Sequence, residues 1–328
     1  MSAKMKAWIW TAYGPPEVMQ LQEVEKPEPG ENEVLIKIRA ATVTAGDCEL
    51  RRFDVAGWIW LFVRLYMGVF KPRIKTLGQE FSGEIVRLGT GVKAWNVGDA
   101  VFVSPGMKLG GYAEYACLSE DRVMEIKSNG ISFEEAATIP TGGINGLHFL
   151  RKGEVKVGDH VLINGAGGSI GTYALQIAKS WGAEVTCVDA GPKLEMLRSV
   201  GADHVIDYSR DDFTSNENTY DVIIDIVGYG SYSACLRSMK AEGRFVLGNP
   251  RLPGMLRSIW TSKVTNKRVV VALAAENRPD FRYLKELMEA GKIKSVIEKT
   301  YPFNELREAH RYVETGAKAG NVVIRVNP

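Results

Sequence analysis

A short glycine-rich segment, residues 165–171 (GAGGSIG), constrains the fold of this chain more than any other feature. An apolar run, residues 160–164, precedes it, and a segment of helical period, residues 172–181, follows it. A strand, a glycine turn and a helix in that order form an anion site, because glycines let the backbone approach a pyrophosphate and the first amides of the helix point at it. The segment therefore predicts a dinucleotide-binding site.

The spacing of the glycines refines this prediction. The strict G-x-G-x-x-G pattern fails at Ile170, whereas A-x-G-x-x-G fits through Ala166, Gly168 and Gly171. A second apolar run ends in Asp189, about 20 residues after the last glycine, where a carboxylate that binds the ribose is expected. The two signals together favour a dinucleotide fold over a chance glycine cluster.

The same segment also contains G-x-S-x-G, the nucleophile elbow of α/β-hydrolases. Ser169 would be the nucleophile, and Asp225 and His310 follow it in the order that hydrolases use. His310, however, lies in a stretch of helical period, whereas a triad histidine must reach the serine from a loop. A hydrolase is therefore the weaker alternative.

Two patterns divide the rest of the chain. From residue 5 to about 127, short β-branched runs cut by Gly, Pro and Asp predict a curved antiparallel or barrel-like sheet, with a first strand over residues 5–10. From about residue 159, short apolar runs alternate with helical segments, which predicts buried parallel strands joined by crossover helices. The fold class is therefore α/β, and 328 residues suit two domains. Beyond residue 269 the pattern is mixed, so that part could extend the parallel sheet or return to the first domain.

Composition limits the partners. Lys and Arg (41) nearly balance Asp and Glu (39), and a net charge of +2 is too weak a field to indicate nucleic-acid binding, so a small-molecule partner is expected.

The four cysteines are too far apart for C-x-x-C spacing and are expected to be free and buried. The first residues lack a signal-peptide cleavage site, and the longest apolar stretch falls short of the roughly 20 residues that span a bilayer. We expect a cytoplasmic protein without a transmembrane segment.

Motifs over nearly the whole chain resemble those of the medium-chain dehydrogenase/reductase superfamily. They are residues 77–84 (LGQEFSGE), 89–92 (GTGV), 97–99 (VGD), 111–115 (GYAEY), 134–143 (EEAATIPTGG) and 320–323 (GNVV). The resemblance implies a GroES-like, β-rich catalytic domain from residues 1–128 and 270–328. It implies a Rossmann domain, with a doubly wound parallel sheet, over residues 129–269.

The departures from the superfamily pattern indicate the branch. Zinc alcohol dehydrogenases of this superfamily carry Gly-His-Glu where this chain has Gly78-Gln79-Glu80, and a cysteine where it has Thr44. The cysteine-rich lobe that holds structural zinc is absent too, and carboxamide and hydroxyl groups are poor zinc ligands. The chain therefore resembles the zinc-free quinone oxidoreductases similar to zeta-crystallin, and related enone reductases. Hydride transfer from NAD(P)H to a quinone or an α,β-unsaturated carbonyl needs no metal, because a few hydrogen-bond donors can stabilise the delocalised oxyanion.

The resemblance assigns site residues. Thr44, Asp47 and Gln79 would line the former metal pocket, although Gln79 could instead cap a strand end and Asp47 could be a structural acceptor. The residues implied to bind the cofactor are Ala166, Gly168, Ser169, Ile170 and Gly171 at the pyrophosphate, and Thr141, Gly228, Leu247 and Asn249 on the nicotinamide side. Asp225 is expected to be structural.

Two signals disagree about the cofactor. Asp189 favours the free 2′-hydroxyl of NADH and would repel a 2′-phosphate. Lys193 and Tyr208 resemble the family residues around the phosphate of NADPH, although they could be a solvated helix charge and a strand-end aromatic. NADPH is the expected cofactor and NADH the alternative. A redox sensor or structural protein that binds NADPH without significant turnover is the alternative to an enzyme.

The apolar segment from Val55 to Phe70 is expected to form a lid over the substrate pocket. Leaving so many apolar side chains exposed would create a sticky surface. Tyr66 is the residue of this segment able to donate a proton to an enolate, which makes it a catalytic candidate. The alternatives are burial in the core, contact with the partner in an expected homodimer, and weak association with an anionic membrane surface. Nearby basic residues would help the last: Arg64, Lys71, Arg73 and Lys75.

Overall fold

The structure is a computed structural model, and it describes residues 3–55, 57, 59–215, 217–228, 231–249, 252–271 and 274–326. The strands are β1 (Lys4–Trp10), β2 (Met19–Glu25), β3 (Glu33–Thr42), β4 (Phe81–Leu88), β5 (Ala100–Ser104), β6 (Tyr115–Ser119), β7 (Val123–Ile126), β8 (His160–Asn164), β9 (Glu184–Asp189), β10 (His204–Asp207), β11 (Tyr220–Asp225), β12 (Met239–Leu247), β13 (Arg268–Val271), β14 (Ile297–Pro302) and β15 (Asn321–Arg325). The α-helices are α1 (Ala45–Arg52), α2 (Trp60–Met67), α3 (Phe133–Ala137), α4 (Ile144–Lys152), α5 (Ser169–Ser180), α6 (Leu194–Ser199), α7 (Tyr232–Ser238), α8 (Leu252–Val264), α9 (Arg278–Glu289) and α10 (Leu306–Glu314). A π-helical turn spans Ile139–Gly143.

The chain divides into two compact units. Unit 1 comprises Met1–Thr141, Glu276–Lys285 and Ile297–Pro328, and unit 2 comprises Gly142–Ala275 and Glu286–Val296. The sequence analysis predicted domain boundaries between residues 128 and 129 and between residues 269 and 270. The compact units do not test these domain boundaries, which stay a prediction.

Unit 2 contains a six-stranded parallel sheet in the order β10-β9-β8-β11-β12-β13. Counted from β8, this order is 3-2-1-4-5-6, the doubly wound Rossmann arrangement. The apolar runs in β8, β9 and β11 are almost completely buried, because a parallel sheet is covered on both faces. The prediction of a Rossmann sheet is confirmed. The strand order reverses between β8 and β11, and ligands bind at such a point, outside the carboxyl ends of the strands.

Unit 1 is built on a seven-stranded sheet, β14-β15-β3-β4-β5-β7, with β6 also paired to β3, and on the hairpin of β1 and β2. All of these pairings are antiparallel except that of β14 with β15. The predicted antiparallel sheet and first strand are thus confirmed. β14 and β15 come from the end of the chain and join this sheet, as the resemblance implied, and Leu306 and Ile324 pack in the same core as Trp10 and Phe81.

The four cysteines are free and buried. Among the described residues, no helix combines the length and the apolar character that crossing a bilayer requires.

The apolar segment 55–70 forms α2 and the turn after it, while Ala56 and Trp58 lie outside the described residues. Most of the large side chains of this segment are exposed. The alternative that the segment is buried in the core is therefore wrong for these side chains.

Candidate functional site

The glycine turn of unit 2 connects β8 to α5. Gly165 has a φ of +85°, and a Cβ there would lie 2.6 Å from Val227 Cγ1, so this corner of the turn requires glycine. The helix begins at Ser169, three residues before the predicted start, with Gly168 as its N-cap. The prediction was late because glycine and serine have poor helix propensity. The earlier start places the backbone amides of Ser169 and Ile170 in the first helical turn, where amides have no partner within the helix.

Two glycines of this turn have different reasons to be glycine. A Cβ on Gly171 would lie 2.5 Å from the Cα and carbonyl oxygen of Ala166, because the helix packs directly on the turn. A Cβ on Gly168 would meet nothing closer than Gly165 O at 3.9 Å. The packing of the protein itself therefore explains Gly171 but not Gly168. The open space at Gly168, beside the first amides of α5, fits a pyrophosphate.

Asp189 and Lys193, which the sequence placed near the ribose, are paired with each other. Asp189 Oδ1 lies 3.0 Å from Lys193 Nζ, and Asp189 Oδ2 accepts a 2.7 Å hydrogen bond from the backbone N–H of Gly167. Both side chains are largely buried, so Lys193 is not a solvated helix charge. Tyr208 follows β10 with its side chain exposed, and its backbone N–H donates to Asp189 O at 3.4 Å.

The carboxyl ends of β8, β11 and β12 hold the other predicted cofactor residues. Asp225 is in register with Asn164 and with Leu247, so the three strands end at the same level. Asp225 Oδ1 accepts hydrogen bonds from Asn164 Nδ2 (3.0 Å) and from the N–H of Gly228 (2.9 Å), and Gly228 has a φ of +73°. The structural role expected for Asp225 is confirmed. Leu247 is buried at the end of β12, and Asn249 is exposed beyond it.

In unit 1, Thr44, Asp47 and Gln79 form one hydrogen-bonded group at the start of α1. Thr44 caps the helix: its hydroxyl accepts from the N–H of Asp47 (3.0 Å) and donates to Asp47 Oδ2 (2.7 Å). Gln79 Nε2 also donates to the Thr44 hydroxyl, at 3.2 Å. Asp47 is fully buried, and burial raises its pKa although the bonds from Thr44 oppose the rise. These bonds make Asp47 part of the helix cap, and its assignment to the catalytic site stays a prediction.

This group does not fit a zinc ion. The Thr44 oxygen already accepts two hydrogen bonds, and Gln79 turns its amide nitrogen, which cannot coordinate a metal, toward it. Zinc sites in proteins use thiolate, imidazole or carboxylate ligands. Across the residues that the structure describes, no cluster of three or more His, Cys, Asp or Glu side chains could hold a metal ion.

Glu80 is a buried acid beside this group that the sequence analysis did not single out. One carboxylate oxygen accepts from the Thr42 hydroxyl, and the other accepts from the N–H of Thr141 at 2.6 Å. Burial raises the pKa of Glu80 to about 7, and the negative charge of Asp47 adds to the rise. The sequence did carry a signal, since Glu80 is the one acid among the small and apolar residues of 77–83.

His310 belongs to a buried pair in unit 1 and not to a hydrolase triad. It lies on α10, as predicted, and its Nδ1 is 3.3 Å from Cys48 Sγ. Burial lowers its pKa to about 3, so it is a poor base for taking a proton from a serine at ordinary pH. Asp225 is engaged with Asn164 and Gly228 instead. The order Ser169, Asp225, His310 is therefore not a triad.

Tyr66 lies on α2 and is 54 % exposed. The hydrogen bonds that connect Thr44, Asp47 and Gln79 do not include it, and its role as a proton donor stays a prediction. Thr141 is the last residue of the first segment of unit 1 and lies in the π-helical turn, where its N–H donates a hydrogen bond to Glu80.

Known proteins resemble the chain along most of its length. Residues 30–128 match the family model for the alcohol dehydrogenase GroES-like domain, and residues 200–324 match that for zinc-binding dehydrogenases. The chain is 31% identical to 2-methylene-furan-3-one reductase of Solanum lycopersicum, over 99% of this chain and 80% of that protein. It is 30% identical to an NADPH-dependent alkenal/one oxidoreductase of Arabidopsis thaliana, over 98% of this chain and 79% of that protein. The solved structure of the quinone oxidoreductase from Coxiella burnetii superposes with a TM-score of 0.88 at 31% identity, covering 99% of this chain and 100% of the other. The likeness thus extends over both units and not over the glycine turn alone.

Proposed function

The chain belongs to the medium-chain dehydrogenase/reductase superfamily, in its quinone oxidoreductase branch, and on that premise we propose that it reduces a quinone or an α,β-unsaturated carbonyl without zinc. It is an NAD(P)H-dependent oxidoreductase. The observation that carries the zinc-free proposal is the hydrogen-bonded Thr44–Gln79 pair where zinc relatives have metal ligands. The names of the tomato, Arabidopsis and Coxiella proteins support the substrate class.

Unit 2 would hold the dinucleotide. The amides of Gly168, Ser169 and Ile170 would bind the pyrophosphate at the start of α5, with Ala166 and Gly171 keeping the turn close to the helix. Gly228, Leu247 and Asn249 of this unit are proposed for the nicotinamide side, and the assignment of Thr141, which belongs to unit 1, to the same side stays a prediction. When bound, the dihydronicotinamide would supply a hydride.

Unit 1 would supply hydrogen-bond donors to the substrate. The Gln79 amide bonds to the Thr44 hydroxyl and also to the Asp47 carboxylate. One of its N–H groups, turned from these partners to the substrate, would stabilise the oxyanion that develops on a quinone or enone oxygen. Asp47 fixes Thr44, and through it Gln79, by the capping bonds at the helix start. The final proton would come from water, with Tyr66 as a candidate donor.

We propose NADPH as the preferred cofactor, with NADH as an alternative. The pairing of Lys193 with Asp189 largely neutralises the carboxylate that would repel a 2′-phosphate, and Lys193 would be the cation that binds it. Tyr208, exposed beside the end of β9, would pack near the phosphate.

We also propose a homodimer in the cytoplasm. β13 is an edge strand of the parallel sheet, and nearby α8 exposes Ile259 and Trp260, so a second copy could cover both. Free cysteines fit a reducing compartment. Light scattering on wild type and Trp260→Glu would test the dimer: a wild-type monomer would contradict it.

A turnover panel tests the function. Purified protein should oxidise NADPH faster than NADH with 9,10-phenanthrenequinone or 1,4-benzoquinone, measured as loss of dihydronicotinamide absorbance. Binding of NADPH in a fluorescence titration without turnover of any quinone or enone in a broad panel would overturn the proposal in favour of a redox sensor. Absence of both binding and turnover would contradict the cofactor site itself.

A further inference from the structure

The outer face of α2 and the turn after it form an exposed apolar surface. We call it the α2 surface, and its members are Trp60, Leu61, Phe62, Leu65, Tyr66, Val69 and Phe70, each at least 41 % exposed. Phe70 is 94 % exposed and Phe62 is 74 % exposed. A helix that is apolar all round is normally buried. On α2, Met67 is buried and Val63 packs on the core of unit 1, so the exposed side chains lie on the face that the core leaves uncovered.

This surface is held in place by specific contacts. Gly68 ends α2 with a φ of +116°, and a Cβ there would lie 2.2 Å from the carbonyl oxygen of Lys71, so the turn requires glycine. The Tyr13 hydroxyl donates to Gly68 O at 2.7 Å, and the N–H of Arg73 donates to Met67 O at 2.8 Å. The guanidinium of Arg64 lies 4.1 Å from the Tyr13 ring centre. The fold therefore presents Phe70 at the tip of an anchored turn.

The charges within the segment that carries the α2 surface have one sign. Between residues 55 and 79 there is no Asp or Glu. Lys71, Arg73 and Lys75 are exposed, and none of them forms an ion pair with another described residue. An apolar surface bordered by unpaired cations is complementary to a layer that is apolar inside and anionic at its surface.

A further apolar surface, on α8, differs in this respect. Three cations on α8, at the start of β13 and between them have partners of their own. Arg257 bonds to Ser233 Oγ at 2.9 Å, Lys267 bonds to the carbonyl of Leu236, and Arg268 pairs with Glu154. Only Lys263 of α8 forms no ion pair with another described residue, whereas three cations beside the α2 surface are unpaired.

We infer that the α2 surface docks on anionic lipid membranes, with Phe62 and Phe70 entering the interface and Lys71, Arg73 and Lys75 contacting lipid phosphates. A second copy fits less well, because an interface formed by this segment from both copies would bury Lys71, Arg73 and Lys75 with no acid of the segment to pair them. A single small substrate fits less well, because eight helical residues extend over about 12 Å before the turn is counted. The inference does not depend on the proposed function, since docking requires no cofactor.

Vesicle flotation of the full-length protein tests the docking. Wild type should float with vesicles of phosphatidylcholine and phosphatidylglycerol, float little with phosphatidylcholine alone, and bind less at high salt. The triple variant Lys71→Ser, Arg73→Ser, Lys75→Ser should reduce partitioning roughly a hundredfold. The double variant Phe62→Ser, Phe70→Ser should reduce it at least about tenfold. Val157→Ser, which removes an apolar side chain that is 82 % exposed and lies outside both α2 and α8, is the matched control and should bind as wild type does. Because all these side chains are exposed, the melting temperatures should agree.

Three results would overturn the inference. The first is a wild type that stays in solution with anionic vesicles. The second is equal flotation of wild type and both α2 variants, or a loss on Val157→Ser as large as theirs. The third is loss of flotation together with a lowered melting temperature in both α2 variants, which would show that these side chains stabilise the fold. In the absence of vesicle binding, a dimer lost in Phe62→Ser, Phe70→Ser would assign the surface to a second copy. A selective loss of turnover with large quinones would then assign it to a substrate lid.

Discussion

The glycine turn of unit 2 and the Thr44 group of unit 1 are two candidate sites built in opposite ways. At the glycine turn the working groups are backbone amides, and what the sequence specifies is the absence of side chains at Gly168 and Gly171. In the Thr44 group, which comprises Thr44, Asp47 and Gln79, the working groups are polar side chains that bond to one another, and Asp47 and the neighbouring Glu80 are fully buried. The first site is therefore sensitive to added volume, and the second to charge and protonation.

The change expected to have the greatest consequence is Gly171→Ala. Its Cβ would overlap the backbone of Ala166, which cannot move away as a flexible side chain could. We expect the free energy of unfolding to fall by about 3 kcal/mol or more. Chemical denaturation measures this, and an unchanged midpoint would show that α5 does not pack on the turn as described.

Gly168→Ala is the matched change at the other glycine. A Cβ there has open space and a φ of −89° that alanine tolerates, so the stability of the apoprotein should change little. Affinity for NADPH should nevertheless fall about a hundredfold, or roughly 3 kcal/mol, because the methyl group would occupy the pyrophosphate site. Titration calorimetry with wild type as reference tests this. Full affinity in the variant would remove the turn from the cofactor site.

Glu80→Gln probes the charge dependence of the other region. The pKa of Glu80 is raised from 4.5 to about 7 in the folded chain, so folding favours its protonated form. As the pH rises from 4.5 through 7, the free energy of unfolding of the wild type should fall relative to that of the glutamine variant, by up to about 3 kcal/mol. Above pH 7 the difference between the two proteins should stay constant. Denaturation across that range, with the exposed Glu195→Gln as control, measures it. A gap independent of pH would contradict the buried, protonated state of Glu80.

Lys193→Ala separates the two cofactors. Removing the ammonium would take away the cation for the 2′-phosphate and leave Asp189 unneutralised, so the KM for NADPH should rise at least about tenfold, with a smaller change for NADH. Asp189→Ser should improve NADPH use. Equal losses for both cofactors in Lys193→Ala would show that the ion pair only supports the turn.

The smallest effect is expected for Ser169→Ala. The amide of residue 169 stays in place, and only the hydrogen bond that the Ser169 hydroxyl would add to a phosphate is lost. The KM for the cofactor should therefore rise about fivefold, equivalent to about 1 kcal/mol, and turnover should stay measurable. Esterase activity that disappears in this variant would restore the hydrolase interpretation.

The two regions also differ in how far the sequence alone predicted them. The parallel strands and the glycine turn of unit 2 followed from local pattern, because strand period and glycine spacing are recorded in neighbouring residues. The contacts of Glu80 and of the Cys48–His310 pair were not predicted, because each contact joins residues that are far apart in the sequence. Glu80 bonds to the N–H of Thr141, and Cys48 and His310 are 262 positions apart. The pairing of Lys193 with Asp189 was within reach of the i,i+4 spacing, but the sequence does not reveal that both side chains are buried.

The central claim is that an NAD(P)H-dependent reductase works here with hydrogen-bond donors where zinc relatives have metal ligands. The most direct test is quinone reduction by protein dialysed against a strong chelator, with zinc measured by elemental analysis on the same sample. We expect undiminished turnover of 9,10-phenanthrenequinone with NADPH and zinc far below one equivalent per chain. Activity that is lost on dialysis and restored by stoichiometric zinc would contradict the account.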